Sequence, residues 1–266
     1  MRYIDSHAHY FDERFANETA RGADALLAAL FAGDLSAVIN VGTSPETTRL
    51  AIMQAEKFPR MLVAAGIHPS DGQYLPDLDD AFAQLEVQLT HERVVALGEI
   101  GLDYHYDDTD KVLQSEIFHR QMQMARERNL PVIIHDRDAH GDVMDVVRAY
   151  PDVRGVFHSY SGSTEMAKEL VSRGYYISFS GTVTFKNARK VAEVAAAMPQ
   201  NRVLVETDCP YLAPHPHRGE INHSGLLPYT VSRIAELWGI LPEECAYRTM
   251  QNADELFGMA KRLGTL

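Results

Sequence analysis

His7 and His9 stand two residues apart just after the apolar pair Tyr3-Ile4. On an extended strand that spacing turns both rings, and Asp5 with them, to one side, where two imidazoles can share a metal ion. His135 and His158 follow the apolar runs Val132-Ile133-Ile134 and Val156-Phe157. A lone imidazole there would be a poorly satisfied core residue. Glu99 follows Val94-Val95-Ala96-Leu97 and lies between Gly98 and Gly101, which are expected to clear space around a bridging carboxylate. Asp208 follows Val203-Leu204-Val205 and precedes Pro210. Each residue alone has an ordinary structural explanation, such as a satisfied core histidine, a Glu paired with Arg, or an Asp capping a turn before proline. Together they form a mixed nitrogen and oxygen set suited to zinc, manganese, cobalt or nickel, or to magnesium with waters completing its shell. Two divalent cations against two carboxylates would leave a local charge of about +2, an anion trap.

Those side chains need elements that bring them to one place. Eight apolar or β-branched runs are expected to be strands: Tyr3–Asp5, Ala37–Val41, Leu62–Gly66, Val94–Leu97, Val132–Ile134, Gly155–Phe157, Tyr175–Phe179 and Val203–Val205. Between them run amphipathic segments, among them Ala23–Phe31, Pro45–Phe58, Asp77–Thr90, Val112–Arg128, Thr164–Arg173 and Lys186–Met198. Several have Asp, Ser or Pro near their starts. Repeated βα units predict an α/β fold, a (β/α)8 TIM barrel of the metal-dependent hydrolase type, with catalytic groups at the carboxyl ends of the strands. A doubly wound open sheet is the runner-up. It would bring a glycine-rich turn after the first strand, where this chain has Ser6-His7-Ala8-His9. No linker or low-complexity run divides the chain, so residues 1–266 are expected to form a single domain.

Composition limits the partners. The 266 residues carry 25 Lys+Arg against 37 Asp+Glu, a formal charge of −12, and 45% are hydrophobic. Such an acidic chain is not expected to coat a duplex through a broad basic face. The 12 histidines argue instead for a local, metal-made positive centre. Cys209 and Cys245 have no metal or disulfide spacing, and Cys209 reads as a small buried residue. With no apolar leader and no run of about 18 apolar residues, a cytoplasmic protein with no membrane association and no obligate protein partner is expected.

Other groups are placed for substrate. His68, Arg137, Lys186 and Arg218 are the nearest cations, and Ser161 lies in the hydroxyl-rich turn Ser159–Ser163. The N–H groups of that turn and of Ser178–Thr182 could hold phosphate oxygens or serve as ordinary caps. The acidic clusters Asp77-Asp79-Asp80 and Asp107-Asp108-Asp110 are expected to complement helix dipoles. Met122 and Met124 read as filler or surface residues of a helix. The long turn region from Pro210 to Pro228 reads as a functional loop.

Taken together, His7-Ala8-His9, Gly98-Glu99-Ile100-Gly101-Leu102-Asp103-Tyr104, Pro131–His135, His158-Ser159-Tyr160-Ser161-Gly162 and Glu206-Thr207-Asp208-Cys209-Pro210-Tyr211-Leu212 resemble the TatD family of metal-dependent deoxyribonucleases, part of the amidohydrolase superfamily. The likeness runs from Met1 to the Asn252…Leu256-Phe257-Gly258 segment. It implies a TIM barrel in which His7, His9, Glu99, His135, His158 and Asp208 correspond to metal ligands. Where the family's loop after the eighth strand usually reads Arg-Gly-x-x-Asn-Glu-Pro, this chain keeps Arg218-Gly219-Glu220-Ile221-Asn222 and continues with His223-Ser224. The departure leaves the ligand positions intact and bears on substrate preference.

The expected reaction is hydrolysis of a DNA phosphodiester, exonuclease-like on single-stranded ends, with two divalent cations per subunit (zinc, manganese or magnesium). His7, His9 and Asp208 would hold one ion, His135 and His158 the other, with Glu99 between, and Glu99 and Asp208 are the catalytic carboxylates. The substrate is DNA or a small phosphoester. The alternative is an amidohydrolase-type enzyme opening a small amide, ester or lactone, because fold does not fix function.

Overall fold

Strands buried on both faces must be apolar almost throughout, and here each of the eight begins with such a run. The computed structural model describes residues 1–19 and 22–264. Its strands are β1 (Tyr3–Ala8), β2 (Leu35–Val41), β3 (Met61–Ala65), β4 (Val94–Asp103), β5 (Val132–Arg137), β6 (Gly155–Phe157), β7 (Tyr176–Phe179) and β8 (Val203–Val205). They pair in parallel in chain order, β1 to β8. The seam between β8 and β1 closes just past the end of β8. Asp208 N–H donates to the His7 carbonyl at 2.9 Å, and His9 N–H donates to the Cys209 carbonyl at 2.8 Å. This is the expected TIM barrel.

At least one helix follows every strand. Many start as the sequence suggests, with Asp12, Ser44, Asp77, Asp110 and Ser163 accepting a backbone N–H of the first turn. Alternating strand residues divide into two apolar clusters. One, including Val38, Val63, Val132 and Ile177, packs against the surrounding helices. The other, including Ile4, Ile39, Leu62, Ile133 and Leu204, joins Leu256, Phe257 and Met259 from the C-terminal segment. Met122 and Met124 are both buried, so they are core filler and not surface.

Three strands continue past their apolar runs, among them β5, which extends from Ile134 to Arg137. β1 continues from Asp5 to Ala8, and β4 continues from Leu97 to Asp103. In β4 the extension pairs Ile100 with Ile134 and Gly101 with His135, after a register shift between Leu97 and Ile100. Glu99 therefore lies within a strand. Gly98 and Gly101 also do something other than clear space around its carboxylate. A Cβ on Gly98 would lie 2.6 Å from Cβ of Ile133, and one on Gly101 would lie 1.9 Å from the His135 carbonyl oxygen. They allow β4 and β5 to approach, which sets the distance from Glu99 to His135.

Candidate metal centre

The site is assembled from the mouth of the barrel, where parallel strands all deliver their carboxyl ends. β1 supplies His7 and, one step past its end, His9, and their Nε2 atoms are 3.1 Å apart. Asp208, in the left-handed region at φ 57°, lies just beyond β8 with Oδ1 3.3 Å from His9 Nε2 and 3.7 Å from His7 Nε2. Opposite them His135 of β5 and His158 beyond β6 approach with ring nitrogens 3.2 Å apart.

Glu99 joins the two groups. Its Oε1 is 2.8 Å from His135 Nδ1 and 2.8 Å from His158 Nε2. Its Oε2 faces His7 and His9 at 3.3 and 3.7 Å. One carboxylate thus gives one oxygen to each histidine pair, the arrangement expected of a bridging group. His7 and His158 link the groups a second time by stacking, with ring centroids 4.1 Å apart.

The outer nitrogens fix which atoms face inward. His9 Nδ1 donates to the Val41 carbonyl at 2.7 Å. His158 Nδ1 meets Glu206 Oε1 at 3.2 Å, and His135 Nε2 meets Asp103 Oδ2 at 3.1 Å. A neutral imidazole with its proton on the outer nitrogen presents a lone pair on the inner one, the tautomer that a metal ligand needs. Lone pairs facing carboxylate oxygens at 2.8 Å repel unless positive charge lies between them. The donor set therefore fits divalent cations.

In the protein alone, protons on the imidazoles supply the positive charge that the carboxylates call for. Burial alone would raise the Glu99 carboxyl, but the imidazoles of His158, His68 and His7 facing it, and its contact with His135, hold it well below the usual range. Asp208 is likewise held down against burial by His9, His158 and His7. Burial would lower His158, yet Glu99 and Glu206 raise it well above the ordinary imidazole value.

Of the expected substrate groups, His68, Arg137 and Ser161 line a cavity of about 780 Å³ above these donors, together with Phe11, Tyr106 and Tyr211. His68 comes closest to the centre, with Nε2 3.5 Å from Glu99 Oε1. Its Nδ1 accepts Ser70 N–H at 3.1 Å, so its neutral form carries the proton on Nε2, facing the centre as a donor. Arg218 does not line the cavity. Its guanidinium lies 4.2 Å from the Phe185 ring centroid, drawn outward by that stacking, and Lys186 is also exposed outside the cavity. The turn N–H groups are already partly used: Ser159 donates to Glu206 at 2.7 Å, Tyr160 to the Ser178 carbonyl and Val183 to the Ser180 carbonyl. Ser159, Ser161 and Thr182 line the cavity, the hydroxyls of Ser159 and Thr182 both bonded to that of Ser180.

Sequence reasoning gave no role to Glu206 and Asp103, which orient two of the histidines, nor to the network around Asp5. Asp5 turns to the seam, accepting from Thr207 Oγ1 at 2.6 Å and from Ser224 Oγ at 2.7 Å. Position next to a proposed ligand was the available signal for Glu206. For Asp103 it was the two-residue step from Gly101, which faces His135.

The family model described as TatD related DNase matches residues 4–258. The uncharacterized metal-dependent hydrolase YabD of Bacillus subtilis is 38% identical over 96% of this chain and 98% of its own length. YcfH of Escherichia coli, also an uncharacterized metal-dependent hydrolase, is 37% identical over the whole of both chains. The crystal structure of YjjV, a TatD homolog from E. coli K12, matches with a TM-score of 0.89 at 28% identity, covering 97% of this chain and 98% of its own.

Proposed function

Because the chain belongs to the TatD-related DNase family and is a metal-dependent hydrolase, we propose that it hydrolyses phosphodiester bonds at the ends of single-stranded DNA. The observation that carries this reading is the Glu99 carboxylate, divided between two histidine groups beneath a cavity lined by Ser, Thr and aromatic residues, Arg137 and four aspartates besides Asp208. His7, His9 and Asp208 would hold one ion and His135 and His158 the other, with Glu99 between them. Bound there, two divalent cations would neutralise charge on the phosphoryl group and supply a stronger nucleophile at neutral pH.

The chain's own groups do the rest. Asp208, whose side chain is 14% exposed, accepts the proton of the attacking water at its free carboxylate oxygen and orients that water. His68 donates Nε2–H to a phosphate oxygen. Arg137 adds charge from the rim, while Tyr211 and Phe11 offer apolar surface to a base. A cavity of about 780 Å³ suits a chain terminus, and the net charge of −12 disfavours a duplex face.

The test is metal content and turnover on end-labelled single-stranded oligonucleotides, beside a panel of small amides, esters and lactones. Metal-dependent release of nucleotides from an end, abolished by Glu99→Ala, is the expected result. Unchanged turnover in Glu99→Ala, or preferred turnover of an amide or lactone, would overturn the proposal and favour the amidohydrolase-type alternative.

A further inference from the structure

The described residues of this acidic protein place most of their arginines against carboxylates, as in Arg120–Asp79, Arg128–Glu86 and Arg148–Glu169. Lys186, Lys190 and Arg218 are among the cations without such a pairing. All three are exposed, and none has a carboxylate partner among the described residues. They gather on one ridge. Arg218 comes from the loop after β8 and stacks on Phe185, the neighbour of Lys186, while Lys190 lies in the first turn of the following helix, Arg189–Ala197.

The ridge continues the cavity wall. Thr182, Val191 and Leu212 line the cavity, and the segment from Thr182 to Val191 carries Phe185, Lys186 and Lys190. The loop after β8 is fixed to that segment. His215 N–H donates to Thr184 Oγ1 at 2.8 Å, and a Cβ on Gly181 would lie 2.2 Å from the Leu212 carbonyl oxygen. On its outer side a groove of about 350 Å³, lined by Phe185, Lys186, the ion pair Arg189–Glu193 and Arg233, which pairs with Glu236, runs along the same helix.

We infer that this ridge holds the sugar-phosphate backbone of a single-stranded polynucleotide whose terminal nucleotide occupies the cavity. Unpaired cations beside an aromatic ring supply phosphate neutralisation and a stacking surface, the pair of interactions by which single strands are held without sequence preference. The inference deepens the proposed function and rests on it. It makes the preferred substrate a chain several nucleotides long, in place of a dinucleotide or a small phosphodiester.

The experiment compares the wild type with the triple variant Lys186→Gln/Lys190→Gln/Arg218→Gln on a 12-mer single strand, a dinucleotide and bis(p-nitrophenyl) phosphate. In the triple variant the ratio of kcat/KM for the 12-mer to that for the small diester is expected to fall by about 10-fold, through KM, and the salt dependence of log KM to flatten by about 2. Lys186→Arg/Lys190→Arg/Arg218→Lys keeps the charge and is expected to restore both. An unchanged ratio and salt slope would overturn the ridge while leaving the hydrolase reading intact. A wild type that cleaves none of the three substrates would overturn the phosphodiesterase reading itself, and the ridge with it.

Discussion

Glu206 reaches from just beyond β8 to His158, where its Oε1 lies 3.2 Å from Nδ1 and also accepts Ser159 N–H at 2.7 Å. One buried carboxylate thereby sets both the ring orientation of a histidine of the candidate metal centre and the backbone behind it. Removing it leaves the inner donor free to rotate. Glu206→Ala is expected to weaken metal affinity by about 10- to 100-fold, and Glu206→Gln, which retains the acceptor, by less. Metal titration by calorimetry checks this, and equal affinities in the two variants would contradict it.

Gly101, at φ 142°, occupies a conformation few side chains adopt, and the space beside it is filled by β5. Gly101→Ala should push the His135 backbone away from Glu99. Expected are a loss of about 2–4 kcal/mol in stability and of metal binding together. Denaturant unfolding with a parallel metal assay measures both, and a stable variant with intact metal uptake would show that the strands can yield.

Chelation acts on the folded state itself. Without cations the centre holds two buried carboxylates facing imidazole nitrogens, an arrangement that positive charge stabilises. Extended dialysis against EDTA should abolish turnover and lower Tm by about 10 °C, with recovery on adding manganese or zinc. Thermal scans across a metal series provide the measurement.

His223 offers a pH test away from the centre. Burial, and then the nearby His217, lower its pKa from the ordinary 6.5, and its Nδ1 accepts Gly225 N–H at 3.1 Å. A histidine lowered in the folded state leaves the unfolded chain to bind the proton first. Its contribution is therefore intact above about pH 6.5 and is lost as the pH falls through the window below that value. Relative to His223→Asn, the wild type should lose Tm as the pH drops from about 7 to 5. A difference independent of pH would sink the assignment.

How far the sequence carried depended on the type of signal. Strands announced themselves wherever an apolar run coincided with the whole element, as in Val203–Val205 and Gly155–Phe157. The ends of β1, β4 and β5 were hidden because their added residues are mostly polar or glycine, serving the site and the close approach of β4 and β5. His7, His9, Glu99, His135, His158 and Asp208 could be picked out because imidazoles and carboxylates are costly after apolar runs. Asp103 and Glu206 could not be given their roles, since a carboxylate that orients a histidine is visible only once two strand ends lie side by side. Arg218 looked like a cavity residue from its loop, and only the fold showed Phe185 drawing it outward.

The seam between the first and last strands has a consequence for how the protein is made. Ser6 donates to the Val205 carbonyl across 199 positions of sequence, and the adjoining bonds between His7 and Asp208 and between His9 and Cys209 draw three side chains of the candidate metal centre together. A nascent chain released before residue 208 would contain all eight strands and five of the six candidate donors, yet lack Asp208 and the two backbone bonds that residues 208 and 209 make to β1 and His9. The centre is therefore complete only once translation has passed residue 209: a shorter product could collapse around much of the core and remain chemically silent.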